Sequence, residues 1–120
     1  MREIVFRGKK VNDGMWIQGY LFQCWGRAYI LWGMTNDTPT MHDVKPETVG
    51  QFTGLVDKNG KRIFEGDKIK LTQGIGTVEW SKTQSRFMIW LPKSNKFASF
   101  LAGIEYEVIG NIHDNPELPT

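Results

Sequence analysis

Apolar and polar residues alternate over short stretches along most of the chain, and this period of two predicts strands rather than helices. The alternation is clearest at 16–22, where Trp16, Tyr20 and Phe22 share one face and Ile17 and Leu21 share the other. Both faces of this strand are therefore expected to be covered. The pattern predicts a mainly β protein with little helix.

Turn-forming residues separate these stretches and define two parts of the chain. Residues 1–52 are predicted to form an N-terminal antiparallel β meander, and 53–120 a C-terminal SH3-like small β-barrel. The segment 35–42 is expected to be a polar loop, and Pro46 to begin one helical turn. Strands are expected at 4–7, 16–22, 27–32, 61–64, 68–71, 77–80, 87–91, 97–101 and 106–112, with 51–54 extended.

The stretch 54–71 contains two turns, each followed by a short strand. The first runs from Asp57 to Gly60, where the side chains and a glycine suit locally bonded or left-handed backbone. In the second, Glu65 and Asp67 bracket Gly66, and we expect Gly66 to take a positive φ. The two carboxylates are expected to accept backbone N–H bonds and to hold the turn shut.

This stretch, TGLVDKNGKRIFEGDKIKL, resembles the hallmark of the YopX-like proteins of phages and prophages of low-GC Gram-positive bacteria. Two blocks agree, 1–9 with 16–21 and 108–118, although Phe64 and His113 replace expected tyrosines and 80–104 carries no signature. The resemblance implies a β-rich, often oligomeric fold with an SH3-like half and no established reaction. Its structural motif residues here are Gly54, Asp57, Gly60, Glu65, Gly66, Asp67, Asn111, Asn115 and Pro116.

The charge is unevenly distributed although the formal net charge is only +2. Residues 54–97 hold nine basic and four acidic side chains, whereas 98–120 hold four acidic side chains and no Lys or Arg. This split suits either a basic surface for nucleic acid or complementary charges between subunits. Candidate nucleic-acid contacts are Lys58, Lys61, Arg62, Lys68 and Lys70.

Aromatic residues are dense between Trp16 and Trp32, in a region that also contains Tyr20, Phe22, Trp25 and Tyr29. Such a cluster could stack on bases, or it could form a core. The core interpretation is preferred over base stacking because few cations interleave with the rings. A chain this short offers too little surface to cover both apolar faces of the meander, so part of it is expected to be exposed. Residues 1–52 are therefore a possible oligomerisation region, with residues from Trp16 to Trp32 expected to contribute to the contacts.

The sequence offers little sign of catalysis. A lone cysteine, Cys24, excludes an intramolecular disulfide and is expected to be a small core residue. The dipeptides His42-Asp43 and His113-Asp114 lie too far apart to favour a metal site. The chain has no nucleophile-elbow, dinucleotide-loop or Walker pattern. We therefore expect no enzyme activity, no cofactor and no metal.

The preferred hypothesis is a non-enzymatic phage or prophage accessory protein that acts by binding, as a homo-oligomeric adaptor for a host or phage protein. A nucleic-acid-binding module that uses the basic segment 58–96 is the alternative, and an enzyme of unknown type comes third. The N-terminus lacks a signal-peptide pattern, and the chain lacks an apolar run long enough to span a membrane. A location in the host bacterial cytoplasm is expected.

Overall fold

The computed structural model describes residues 3–117, so Met1, Arg2 and Leu118 of the family-like blocks lie outside the described residues. Most of this part of the chain is strand, and its helical content is a 3-10 turn at Pro46–Thr48. The mainly β class with little helix is confirmed. The strands are β1 Phe6–Lys9, β2 Trp16–Cys24, β3 Arg27–Thr35, β4 Thr38–Val44, β5 Gly50–Val56, β6 Arg62–Phe64, β7 Asp67–Leu71, β8 Gly74–Ser81, β9 Arg86–Leu91, β10 Lys96–Ala98 and β11 Glu107–Asn111.

The chain divides into two compact units, one ending at Phe52 and the other beginning at Thr53. In the first unit, neighbouring strands follow the order β4-β3-β2-β1-β5, and every pair is antiparallel. The sheet curls strongly, so that the ends of β1 and β4 come together. Lys10 forms an isolated bridge with Val44, and the Lys45 N–H donates to the Lys9 carbonyl at 2.8 Å. The two ends of the four-stranded meander thereby meet at one point.

The concave face of this meander carries the core of the first unit. Ala28, Ile30 and Val44 are fully buried there, and Phe6, Ile17, Leu21 and Val49 pack against them. Gly19 lies on the same face, where an added Cβ would stand 2.4 Å from the Leu31 carbonyl oxygen. The strand needs glycine at this position because β3 packs directly against it.

The segment 35–42 is not a loop, so this prediction was wrong. Asn36 and Asp37 both take positive φ, at 52° and 65°, and form a two-residue hairpin turn that leads straight into β4. Such a turn favours Asn and Asp because their short polar side chains tolerate left-handed backbone. The polar composition of Thr38, Thr40 and His42 reflects an exposed strand rather than an irregular segment.

The second unit contains a five-stranded antiparallel sheet in the order β10-β9-β8-β7-β11. One face of the sheet buries Ile69, Val78, Ile89 and Leu91, which pack with Ile63 and Tyr106. Within the described residues β10 and β11 do not pair with each other, so the small sheet is not a hydrogen-bonded closed barrel. The chain between these two edge strands makes turns instead of a strand, which leaves the ladder open.

Gly66 occupies the junction between β6 and β7 with φ of 93°, as predicted. Its N–H donates to the Val78 carbonyl at 2.8 Å, and its carbonyl accepts the Ile112 N–H at 3.0 Å. A residue with a side chain would be strained in this conformation, and the two bonds prevent the backbone from relaxing.

We expect the variant Gly66→Val to lose about 1–3 kcal/mol of unfolding free energy, because a branched residue is disfavoured at positive φ. Urea denaturation followed by tryptophan fluorescence measures the loss. Lys82→Ala, at an exposed turn position, is the control and should stay within about 0.5 kcal/mol of the parent. Equal stability of Gly66→Val and the parent would contradict the account of this turn.

Candidate functional site

Asp57 fastens the first turn of the hallmark stretch to the far end of the chain. Its Oδ1 accepts the N–H groups of Asn59 and Lys61, each at 2.9 Å, and its Oδ2 accepts the Val108 N–H at 3.1 Å. The Lys58 N–H also donates to the Tyr106 carbonyl at 2.8 Å. Burial raises the pKa of Asp57, but the three N–H bonds outweigh it, so the pKa is lowered overall. This carboxylate is placed to hold structure together.

The second turn is held by Asp67, which is buried and accepts the Phe64 N–H at 2.8 Å through Oδ2. Glu65 is half-buried. Its charge lies near Glu79 on β8, whose pKa is raised first by burial and then by Glu65. Asp67 therefore behaves as the turn-holding carboxylate that the sequence predicts.

The C-terminal motif forms a third self-bonded turn. The Asn111 Oδ1 accepts the N–H groups of His113 and Asp114, each at 2.9 Å, while the Asn115 Oδ1 accepts the Asn111 N–H at 3.2 Å. Pro116 is exposed beyond it. Gly54 and Gly60 take positive φ of 90° and 79°. Most of the motif residues thus lie in or next to turns, whereas Gly54 lies within β5. The carboxylates of Asp57 and Asp67 and the side-chain oxygens of Asn111 and Asn115 accept backbone N–H groups.

The five candidate nucleic-acid contacts differ in their exposure and in their neighbours. Lys68 is only 4% exposed, so it is not available to a phosphate backbone, and that part of the prediction was wrong. Lys58 lies 3.6 Å from Glu107, and Lys70 pairs across the strands with the same glutamate. Lys61 is exposed and Arg62 is half-buried.

The convex face of the first unit carries an apolar surface within the region 16–32 that the sequence analysis expects to contribute to self-association. The register places Tyr20 opposite Leu31 and Leu31 opposite Met41, and in the next row Phe22 lies opposite Tyr29. Successive residues of a strand point to opposite faces, so all five side chains share the face that points away from the core. We call Tyr20, Phe22, Tyr29, Leu31 and Met41 the outward aromatic patch.

Four of the six aromatic residues in this region are exposed, so the interpretation of these four as core was wrong, whereas Trp16 and Tyr29 are half-buried. The expectation that part of the meander is exposed is confirmed. Tyr20 is 65% exposed, Phe22 48%, Trp32 63%, and Trp25, at the β2–β3 turn, 96%. The signal was present in the sequence, because the period of two assigns Tyr20 and Phe22 to the face opposite Leu21. Composition could not reveal that this face lacks a covering layer.

An ion pair between Arg27 and Asp43 borders the outward aromatic patch. The Arg27 guanidinium donates to Asp43 at 2.6 Å, and its carbon centre lies 5.5 Å from the Tyr29 ring. The hydrogen bond to Asp43 raises the pKa of Arg27. On the same face Arg7 lies 4.6 Å from the Trp16 ring centre. Arg27, which lies beside a ring of the patch, is therefore already paired with a carboxylate.

The other side chains considered for chemistry are those of His42 and Cys24. His42 Nε2 lies 3.2 Å from the Trp32 carbonyl oxygen, and Cys24 is half-buried rather than a core residue. Within 3–117, no group of three or more His, Cys, Asp and Glu side chains is arranged to hold a metal ion. Between residues 3 and 117, no helix is long and apolar enough to cross a membrane.

The folds and surfaces described above define a small mainly β protein built from two antiparallel sheet units. The chain belongs to the YopX family, because the model of that family, described as YopX protein, matches residues 5–119. The crystal structure of protein EF1440 from Enterococcus faecalis is similar over 98% of each chain, with a TM-score of 0.56 and 22% identity. At that identity the likeness establishes the fold. No curated protein matches the sequence.

Replacing Asp57 by Asn should cost about 1–3 kcal/mol of unfolding free energy near pH 7, because buried N–H groups lose a charged acceptor. The folded-state pKa is lowered, so the carboxylate stabilises the fold above its unfolded pKa of about 3.9. This stabilisation disappears as pH falls through the folded-state pKa. Urea denaturation between pH 7 and pH 3 should therefore show the parent and Asp57→Asn converging in acid.

Asp13→Asn is a suitable control, since this exposed carboxylate accepts one local N–H, that of Met15, and lies in a surface turn. It should change stability much less than Asp57→Asn. A gap between the parent and Asp57→Asn that stays constant down to pH 3 would contradict the assigned role of the charge.

Proposed function

We propose that this protein is a non-enzymatic accessory protein that acts by binding, and that it works as a homo-oligomeric adaptor. The outward aromatic patch is the surface through which copies meet. The observation that supports this proposal most directly is the exposure of Tyr20 and Phe22 beside Leu31 and Met41 on three neighbouring strands. Contiguous apolar surface of this kind usually marks an interface.

The chemistry of the patch suits a protein partner. Aromatic residues and Met are enriched in the cores of interfaces, where charged residues are depleted, and the patch consists of aromatic and aliphatic side chains alone. Tyr20 adds a hydroxyl that can bond at a partly wet boundary. Together these side chains can supply the central anchors of a contact, with polar groups around them.

The border of the patch favours a second copy of the chain over an unrelated partner. Arg27 and Asp43 lie side by side at 2.6 Å, so the border presents both signs of charge. When two such surfaces meet across a two-fold axis, each Arg27 can face Asp43 of the other copy. A self-complementary arrangement of this sort is what a two-fold interface requires.

The distribution of basic residues supports an adaptor more than a nucleic-acid-binding module. Lys82 and Arg86 lie at one end of β9, whereas Lys93 lies beyond the other. The six-residue strand separates the two ends by about 20 Å. Phosphate binding depends on several cations acting on one backbone, and these cations are dispersed.

Light scattering on the purified chain at tens of micromolar should give a mass above 13.8 kDa. The double variant Tyr20→Ser with Phe22→Ser should shift the protein to the monomer mass, because it removes the two exposed aromatic rings of the patch.

Trp80→Ser is the matched control, since Trp80 is 47% exposed, like Phe22, but lies on β8 of the second unit. It should leave the mass unchanged. A parent protein of 13.8 kDa at this concentration, or an oligomer that Trp80→Ser disrupts and the patch variant does not, would overturn the proposal.

The nucleic-acid alternative makes a separate prediction. A short fluorescent DNA duplex or single strand should show no saturable binding at low ionic strength with tens of micromolar protein. Lys58 and Lys70 lie beside Glu107, and the cations around β9 are spread along that strand, so few counterions would be released. Fluorescence anisotropy provides the measurement. Binding that declines steeply with salt and weakens in Lys61→Glu with Lys70→Glu would instead support the alternative.

A further inference from the structure

The second unit contains a cleft that the proposed self-association does not use. Its volume is about 560 Å³, within the range of about 300–1,000 Å³ that is usual for binding sites. Its apolar lining consists of buried Tyr106, half-buried Leu71 and Ala98, and exposed Leu101 and Ile104.

One side of this cleft is an open sheet edge. Ala98 is the last residue of β10, which pairs with β9 on one side. In the described part of the chain, no further backbone hydrogen bond joins Lys96, Phe97 or Ala98 to another segment. A strand edge of this kind presents peptide N–H and C=O groups that an extended segment can pair with.

The opposite side of the cleft differs, because the edge at β11 is covered. The Lys58 N–H occupies the Tyr106 carbonyl at 2.8 Å, and the Asp57 carboxylate accepts the Val108 N–H at 3.1 Å. An incoming strand would therefore bond to β10 and place side chains over Leu71 and Tyr106. Side chains at alternate positions of that strand would face the cleft.

The charges at the cleft disfavour an anionic ligand. Lys58 and Lys70 are each beside Glu107, and Glu105 lies close by in the lining. The basic and acidic groups balance, so a phosphate or a nucleic acid would gain little net attraction. Pairing between two β10 strands is also discouraged, since each copy would bring an exposed, positively charged Lys96 to the shared edge.

We propose that this cleft binds an extended peptide segment of a partner protein, by strand addition to β10, with apolar side chains at alternate positions of the segment. The site gives the adaptor a surface for its partner on the second unit. It does not depend on the outward aromatic patch, so self-association and peptide binding can fail independently.

The test is a selection from a displayed library of random seven-residue peptides on the immobilised full chain, followed by fluorescence anisotropy with the selected peptides. Enriched peptides should carry apolar residues at alternate positions. N-methylation of their backbone amides should weaken binding at least tenfold, because it removes ladder donors. Ala98→Asp and Leu101→Asp should each weaken binding at least tenfold, and Leu101 is exposed enough to be replaced without disturbing the core.

Two controls separate this site from other surfaces. Lys82→Ala, on the β8–β9 turn, and the double variant Tyr20→Ser with Phe22→Ser should bind the peptides as the parent does. The absence of any enriched peptide would overturn the proposal. So would enriched peptides that bind Ala98→Asp and Leu101→Asp like the parent, or that lose binding only in the patch variant.

Discussion

The buried carboxylate of Asp57 joins the beginning of the second unit to its end. Asp57 lies in a turn, yet one of its oxygens accepts the Val108 N–H from 51 residues further along the chain. The same side chain closes its own turn through Asn59 and Lys61. An apolar residue would leave three N–H groups without an acceptor at a position that water reaches poorly. Local turn chemistry and long-range closure are therefore combined in a single side chain.

Gly66 also joins distant parts of the unit at the next turn, but it does so through its backbone rather than a side chain. Its backbone bonds to β8 through Val78 and to the C-terminal turn through Ile112. The two turns thus attach the start of the unit to its middle and to its end, while Ile69 and Val78 fill the face between them. This explains why a stretch rich in Gly, Asp and Lys organises a sheet, since its contribution is backbone pairing rather than apolar area.

The sequence predicted much of the fold because much of it is local. The period of two assigned most of the strands and their faces, and the turns at Gly66 and Asp57 were recognised from backbone chemistry. What it could not predict depends on distant neighbours. Lys68 and Lys70 share a face by alternation, yet Lys68 is buried and Lys70 exposed. Likewise, the polar residues of β4 suggested a loop. The strand forms because the two residues before it, Asn36 and Asp37, take positive φ and make a tight hairpin turn.

The candidate surfaces also depend on residues that are distant in sequence. Alternation shows that Tyr20 and Phe22 share a face, but only the register with β3 and β4 joins them to Leu31 and Met41. The basic side chains show the opposite effect. They fall in one segment of the sequence, but the antiparallel strands place them apart, and Glu107 lies beside both Lys58 and Lys70. Folding therefore gathers the apolar side chains of the first unit and scatters the cations of the second. This difference supports the proposal that the chain makes contacts with protein rather than with phosphate.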